Sequence, residues 1–150
     1  MQLRDILKGR ILLVGVGNSL RGDDAAGTEF IRRCSIRKIP FELLDTGSSP
    51  ENFIAKITNS DFETVILIDS VEMGEVPGTI KVFLPQEISE LSVSTHNQSL
   101  KVFFEFIKLQ KPGIKTYLIG IQPKSLNFGE KISPKVNKSI DKLIEELCMS

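Results

Sequence analysis

The apolar positions of this chain follow two periods. Arg10 to Val16 (RILLVGV), Phe41 to Leu44 (FELL), Thr64 to Ile68 (TVILI) and Lys115 to Ile121 (KTYLIGI) are short runs rich in leucine and β-branched residues. All four read as strands, and Arg10 to Val16, closed by glycines, as one buried on both faces, which suggests a parallel sheet. Between them the period becomes helical. Ala26, Phe30, Ile31 and Cys34 mark one face of Ala25 to Cys34, and Phe53, Ile54 and Ile57 follow a helix start at Ser49, Pro50 and Glu51. Leu100, Phe103, Phe104 and Ile107 form an amphipathic stripe that Pro112 and Gly113 stop. A last helix is expected with Ser133 as N-cap, Pro134 at its first position, and Val136, Ile140, Leu143, Ile144 and Leu147 as its apolar face. The glycine and proline cluster from Gly74 to Gly78 turns the chain into one more strand, Thr79 to Phe83, a candidate antiparallel edge.

Strands alternating with helices predict an α/β fold, a three-layer α/β/α arrangement over a five-stranded, mostly parallel, twisted sheet. The 150 residues suit a single domain spanning 1–150. Open sheets of this kind gather their sites at the carboxyl ends of the strands.

Charge and composition narrow the partners. Lys and Arg total 19 and Asp and Glu total 19, so no general field draws the chain to nucleic acid or an anionic membrane. The start, MQLRDILKGR, lacks the apolar stretch of a signal peptide, and no later run approaches membrane-spanning length. A cytoplasmic protein is expected. Cys34 and Cys148 sit in no metal-ligand spacing and are expected as buried free thiols.

Three polar clusters fall where a doubly wound sheet would gather them: GNSLRGDD after the first strand, Asp69 and Ser70 ending the third, and STHNQS ahead of the phenylalanine-rich helix. Asp69 closes the apolar run TVILID, where an ionised carboxylate needs a positive or hydrogen-bonding partner. Capping a loop through backbone N–H groups is the ordinary use of such a residue. His96 is the sole histidine, and an isolated loop histidine is ordinarily a surface residue. Two carboxylates with one imidazole, however, make an oxygen and nitrogen donor set that suits a divalent transition ion. Asp23 and Asp24 are adjacent at a loop-to-helix boundary, so one is expected to face the crevice while the other caps the helix near Ala25.

GVGNSL after the first strand, with Asp45 ending the second, offers a competing nucleotide-binding reading. Leu20 occupies the third fingerprint position instead of glycine, and two aspartates at the helix entrance would repel a pyrophosphate. No HExxH, GxSxG or P-loop is present, which disfavours zincin, α/β-hydrolase and P-loop chemistry.

Taken in order, Gly15-Val16-Gly17-Asn18, Gly22-Asp23-Asp24, Asp69 and His96 resemble the motif set of the hydrogenase maturation endopeptidases. GSSPEN from Gly47, DSVEMGEVPG from Asp69, STHNQSL from Ser94 and GIQP from Gly120 look like the branch that processes hydrogenase 3 type large subunits. The resemblance spans nearly the whole chain and departs at Ala25, where the family usually has glycine. It implies that Asp24 joins Asp69 and His96 as catalytic and nickel-contacting residues, and leaves Asp23 as the cap. It also implies cleavage of a C-terminal extension from a nickel-iron hydrogenase large-subunit precursor, with the nickel carried by the precursor and the enzyme expected to be a monomer. The alternatives are a nucleotide-binding Rossmann-like module and a nickel carrier without peptidase activity.

Overall fold

The computed structural model describes residues 1–90 and 96–149. Strands form at the expected positions: β1 (Ile11–Gly15), β2 (Glu42–Asp45), β3 (Thr64–Ser70), β4 (Ile80–Phe83) and β5 (Lys115–Ile121). They build one five-stranded sheet in the order β2-β1-β3-β5-β4. The β1–β2, β1–β3 and β3–β5 pairs are parallel, and β4 joins β5 antiparallel at the edge. The fold is thus α/β with a mostly parallel sheet, and Thr79 to Phe83 is indeed the antiparallel edge.

The helices are α1 (Leu3–Ile6), α2 (Ala26–Arg37), α3 (Ile54–Thr58), α4 (Asn97–Gln110) and α5 (Pro134–Cys148). Side chains of successive strand residues point to opposite faces, so each central strand feeds two cores. Leu13, Ile66 and Ile68 pack with Phe30 of α2 and Val136, Ile140 and Ile144 of α5 on one face. Leu12, Val14, Val65 and Leu67 pack with Ile54 and Ile57 of α3 and Leu100, Phe103 and Ile107 of α4 on the other. Each such fully buried side chain contributes about 1.5–3 kcal/mol relative to exposure. All five residues expected on the apolar face of α5 are buried.

Local differences from the expected elements have physical causes. A 3-10 turn over Gly22–Ala25 precedes α2, which begins at Ala26, and another over Pro50–Phe53 delays α3 from the expected start at Pro50 to Ile54. Short α1 went unread because a single buried residue, Ile6, holds it down, aided by the Gln2 N–H donating to Asp5 Oδ2 at 2.9 Å. Cys34 is buried as expected, but Cys148 is exposed, because the buried face of the last turn of α5 is taken by Ile144 and Leu147. No helix among the described residues is long and apolar enough to cross a membrane.

The crossovers leave β1 in opposite directions, toward β2 on one side and β3 on the other, which opens a crevice at their carboxyl ends. Gly27 sets how closely α2 lies over that crevice: a Cβ there would run into the carbonyl oxygens of Val16 and Ile68. Those oxygens belong to backbone that has nowhere to move. Gly27→Ala is therefore expected to cost about 3 kcal/mol of stability. Equilibrium urea unfolding checks this, and wild-type stability of the variant would contradict so close a helix-to-sheet approach.

Candidate active site at the carboxyl edge of the sheet

Asp69 is the second-last residue of β3 and takes the phase of Val65 and Leu67, which directs its carboxylate toward the α3 and α4 side. His96 sits at the N-cap of α4 on that side. Its Nδ1 lies 3.2 Å from Asp69 Oδ1 and 3.1 Å from Oδ2. Asp24 arrives from the other direction, in the 3-10 turn between β1 and α2, with Oδ2 3.5 Å from His96 Nε2. The Ser70 hydroxyl donates to Asp24 Oδ1 at 3.3 Å. Asp24 and Asp69 are 0% exposed and His96 is 6% exposed. One ligand atom from each of the three comes within 4.8 Å of the others, a grouping compact enough to hold one metal ion. Ser94 and Thr95, the first two residues of the STHNQS cluster, lie outside the described residues.

Electrostatics follow from this burial. Removal from water pushes the Asp69 carboxyl up from 3.8 to about 6, against the hydrogen bond and charge of His96, which favour ionisation; the nearby Asp24 adds to the upward push. For His96 burial opposes the charged ring, but the hydrogen bond and charge of Asp69, with the charge of Asp24, overcome it and raise the imidazole above 6.5. The guanidinium of Arg21 works in the opposite sense on the ring. A raised carboxyl value means that the folded chain holds its proton more tightly than the unfolded chain. Protonated Asp69 thus favours folding below pH 3.8, and this contribution is lost as pH rises through about 6. The raised imidazole has the same sign: its contribution is present below 6.5 and is lost at higher pH.

Asp23 is as buried as its neighbour, at 1% exposed, yet its carboxylate turns away from the site. It does not cap the helix near Ala25, as neither the 3-10 turn nor α2 has a side-chain cap. Asp23 instead accepts from the Lys124 N–H at 2.8 Å, the Ser125 N–H at 3.3 Å, the Ser133 N–H at 2.7 Å and the Ser133 hydroxyl at 2.8 Å. The expected N-cap hydroxyl of α5 is thereby spent on Asp23 and not on its own helix. Asp23 ties the segment after β5 to the loop after β1. Gly22, at φ 53°, supplies the left-handed residue that precedes the two aspartates.

Asp45, the acid of the nucleotide reading, accepts from the Thr28 hydroxyl at 3.2 Å and the Gly47 N–H at 3.0 Å, so it closes a turn and pins α2. Sequence reasoning passed over Ser70 as a partner of Asp24, Gln122, whose Oε1 accepts the Met73 N–H at 2.7 Å, and Arg21. Their polar types at strand ends and loops were visible, but their partners are remote in sequence.

A family model described as hydrogenase maturation protease, HycI, matches residues 28–150, which include Asp69 and His96. The chain belongs to the hydrogenase maturation protease family. The hydrogenase 3 maturation protease of Escherichia coli K12 is 29% identical over 91% of this chain and 87% of its own length. A crystal structure of a NiFe hydrogenase maturation protease HycI from Thermococcus kodakarensis is 32% identical, covers 99% of both chains and superposes with a TM-score of 0.86. A solution structure of an endopeptidase HycI from Escherichia coli is 28% identical over 94% of this chain and 90% of its own, with a TM-score of 0.85. As a member of the hydrogenase maturation protease family the chain is an endopeptidase, which replaces the nucleotide-module and carrier alternatives.

Two buried aspartates should respond oppositely to neutralisation. Asp23→Asn puts an amide against donors that all need an acceptor, and should lower the melting temperature by roughly 4–12 °C. Asp69→Asn removes a carboxylate whose ionisation opposes folding, so at pH 8 its melting temperature should equal or exceed that of the unmodified chain. Thermal melts of both variants at pH 8 test this, and a large drop for Asp69→Asn would contradict the electrostatic argument.

Proposed function

We propose that this endopeptidase removes a C-terminal extension from the large-subunit precursor of a nickel-iron hydrogenase, and that nickel already held by the precursor is what it recognises. The observation that carries the reading is the convergence of Asp24, Asp69 and His96, from three separate elements, within 4.8 Å. Carboxylate oxygens and an imidazole nitrogen are donors that nickel accepts, and they lie where sheets of this kind place their sites. In this reading Asp24, Asp69 and His96 are the catalytic residues and add ligands to the precursor's metal. Docking the metal fixes the scissile peptide bond relative to the enzyme, so cleavage waits for metal loading. The Nδ1 contact with Asp69 orients the ring and leaves Nε2 directed toward Asp24, as is usual for ligating imidazoles.

In this reading the enzyme acts on its protein substrate as a monomer, which the origin of all three donors in one chain supports. It does so in the cytoplasm, without nucleic acid or membrane, as its balanced charge and the lack of a spanning helix among the described residues support.

Incubation with nickel-loaded and nickel-free precursor, read by the mass of the products, tests the proposal. The loaded precursor should be cut and the unloaded one should remain intact at high enzyme concentration. His96→Ala removes the nitrogen donor and should lower cleavage of the loaded form by more than about 100-fold, assayed below the lowered melting temperature expected from the loss of the buried partner of Asp69. Processing should also fall as pH drops through about 6, because protonation of Asp69 removes a ligand. Efficient, correctly placed cleavage of nickel-free precursor by His96→Ala would refute metal recognition even though the chain is a protease.

A further inference from the structure

Arg21 stands one residue before Gly22-Asp23-Asp24 and has no part in the chemistry described above. Its Nε is buried, yet among the described residues it has no hydrogen-bond partner. Its guanidinium carbon lies 5.4 Å from the ring centroid of Phe128. Its backbone carbonyl accepts the Asp24 N–H at 3.0 Å, so it stands in the same turn as Asp24. The side chain is half-buried against that aromatic face, which leaves part of the guanidinium open to an acceptor from outside the fold.

The ground under Arg21 is rigid. The Arg21 N–H donates to Asn18 O at 3.2 Å, the Asp24 N–H to Arg21 O at 3.0 Å, and the Asp23 N–H to Ser125 O at 2.9 Å. The Gly129 N–H donates to Leu20 O at 3.0 Å, which zips the loop after β1 to the loop that carries Phe128. Asp23 strengthens the same junction through Lys124 and Ser125. Two large apolar side chains flank Arg21 on this junction and remain in solvent, Leu20 at 67% and Phe128 at 72% exposed. Single exposed apolar residues are commonplace, but here two are held beside a guanidinium with an unused donor, on loops fixed by backbone bonds.

We propose that Leu20, Arg21 and Phe128 form the subsite that grips the precursor polypeptide beside the scissile bond. Arg21 takes an acceptor oxygen of the bound segment, and Leu20 and Phe128 pack on apolar side chains next to it. The occupant follows from continuity: the loop bearing Leu20 and Arg21 runs directly into Asp24, and a peptide bond delivered to that site must bring flanking residues across this rim. This inference rests on the function proposed above. A hydrogen bond to a charged donor contributes about 1.5–3 kcal/mol, or roughly 10–100-fold in binding. Arg21 is a positioning residue in this role, so its loss weakens capture of the substrate and leaves turnover of bound substrate nearly intact.

Steady-state cleavage of nickel-loaded precursor by Arg21→Met, Arg21→Lys and Phe128→Ala tests the subsite, alongside calorimetric binding of the same precursor. Arg21→Met should raise KM roughly 10-fold or more with kcat within about twofold, Arg21→Lys should recover part of the loss, and Phe128→Ala should fall between. Melting temperatures should stay near that of the unmodified chain. A KM that rises with salt identifies the acceptor as a carboxylate, and a salt-insensitive KM identifies a backbone carbonyl; either supports the subsite. Unchanged KM and kcat in Arg21→Met would overturn it, as would a fall in kcat at constant KM. Should the unmodified chain bind the loaded precursor without cutting it, the proposed function fails, and the binding constants of the same variants still decide the role of Arg21.

Discussion

Burying a carboxylate at the end of an apolar strand is costly, and the structure is organised around meeting that cost with one imidazole. Asp69 is fully enclosed, and its neighbours on β3 are Ile68 and Ser70. Its hydrogen bond with His96 and the charge of the ring are what hold its carboxyl near 6 instead of higher. A second buried carboxylate, Asp24, then approaches the same ring from the opposite side. The result is a compact set of two carboxylates and one imidazole, a donor chemistry that suits a divalent transition ion.

Everything that positions this set is a consequence of topology. Asp69 comes at the end of a strand, His96 at the start of a helix on one face, and Asp24 from the turn that leads into a helix on the other. No two share an element, so their meeting depends on the register of β1 against β3 and on the seating of α2. Val14 pairs with Leu67 and Gly15 with Ile68, which brings the chain after β1 level with Asp69. Gly27 allows α2 to lie close over the same point, and Asp23 locks the loop from behind. The aspartate pair divides its labour by direction alone: one carboxylate faces the crevice, and the other faces the segment leading into α5.

Much of this was legible in the chain. Unbroken apolar runs located the central strands, because burial on both faces of a parallel sheet leaves no polar alternation, and the 3.6 period located the longer helices. Polar clusters at the ends of β1 and β3 and ahead of α4 pointed to one crevice holding Asp69, His96 and one of the adjacent aspartates, and the family resemblance singled out Asp24. The use of Asp23 was not. A sequence shows an acid before a helix and suggests a cap, whereas the partners it found, Lys124, Ser125 and Ser133, lie about a hundred residues away and become neighbours only through the strand order. Arg21 was hidden for the same reason, as its significance depends on Phe128, remote in sequence, and on its buried Nε finding no acceptor among the described residues. Short α1 escaped because one buried isoleucine makes no period.

The most direct test of the central claim reads the metal itself. Nickel K-edge absorption would be recorded for loaded precursor alone and for the complex with enzyme, frozen before cleavage. Recruitment of Asp24, Asp69 and His96 predicts that complex formation adds oxygen and imidazole nitrogen scattering to the nickel shell, and that His96→Ala removes the imidazole contribution. A nickel spectrum identical in the free precursor and in the complex would contradict the account.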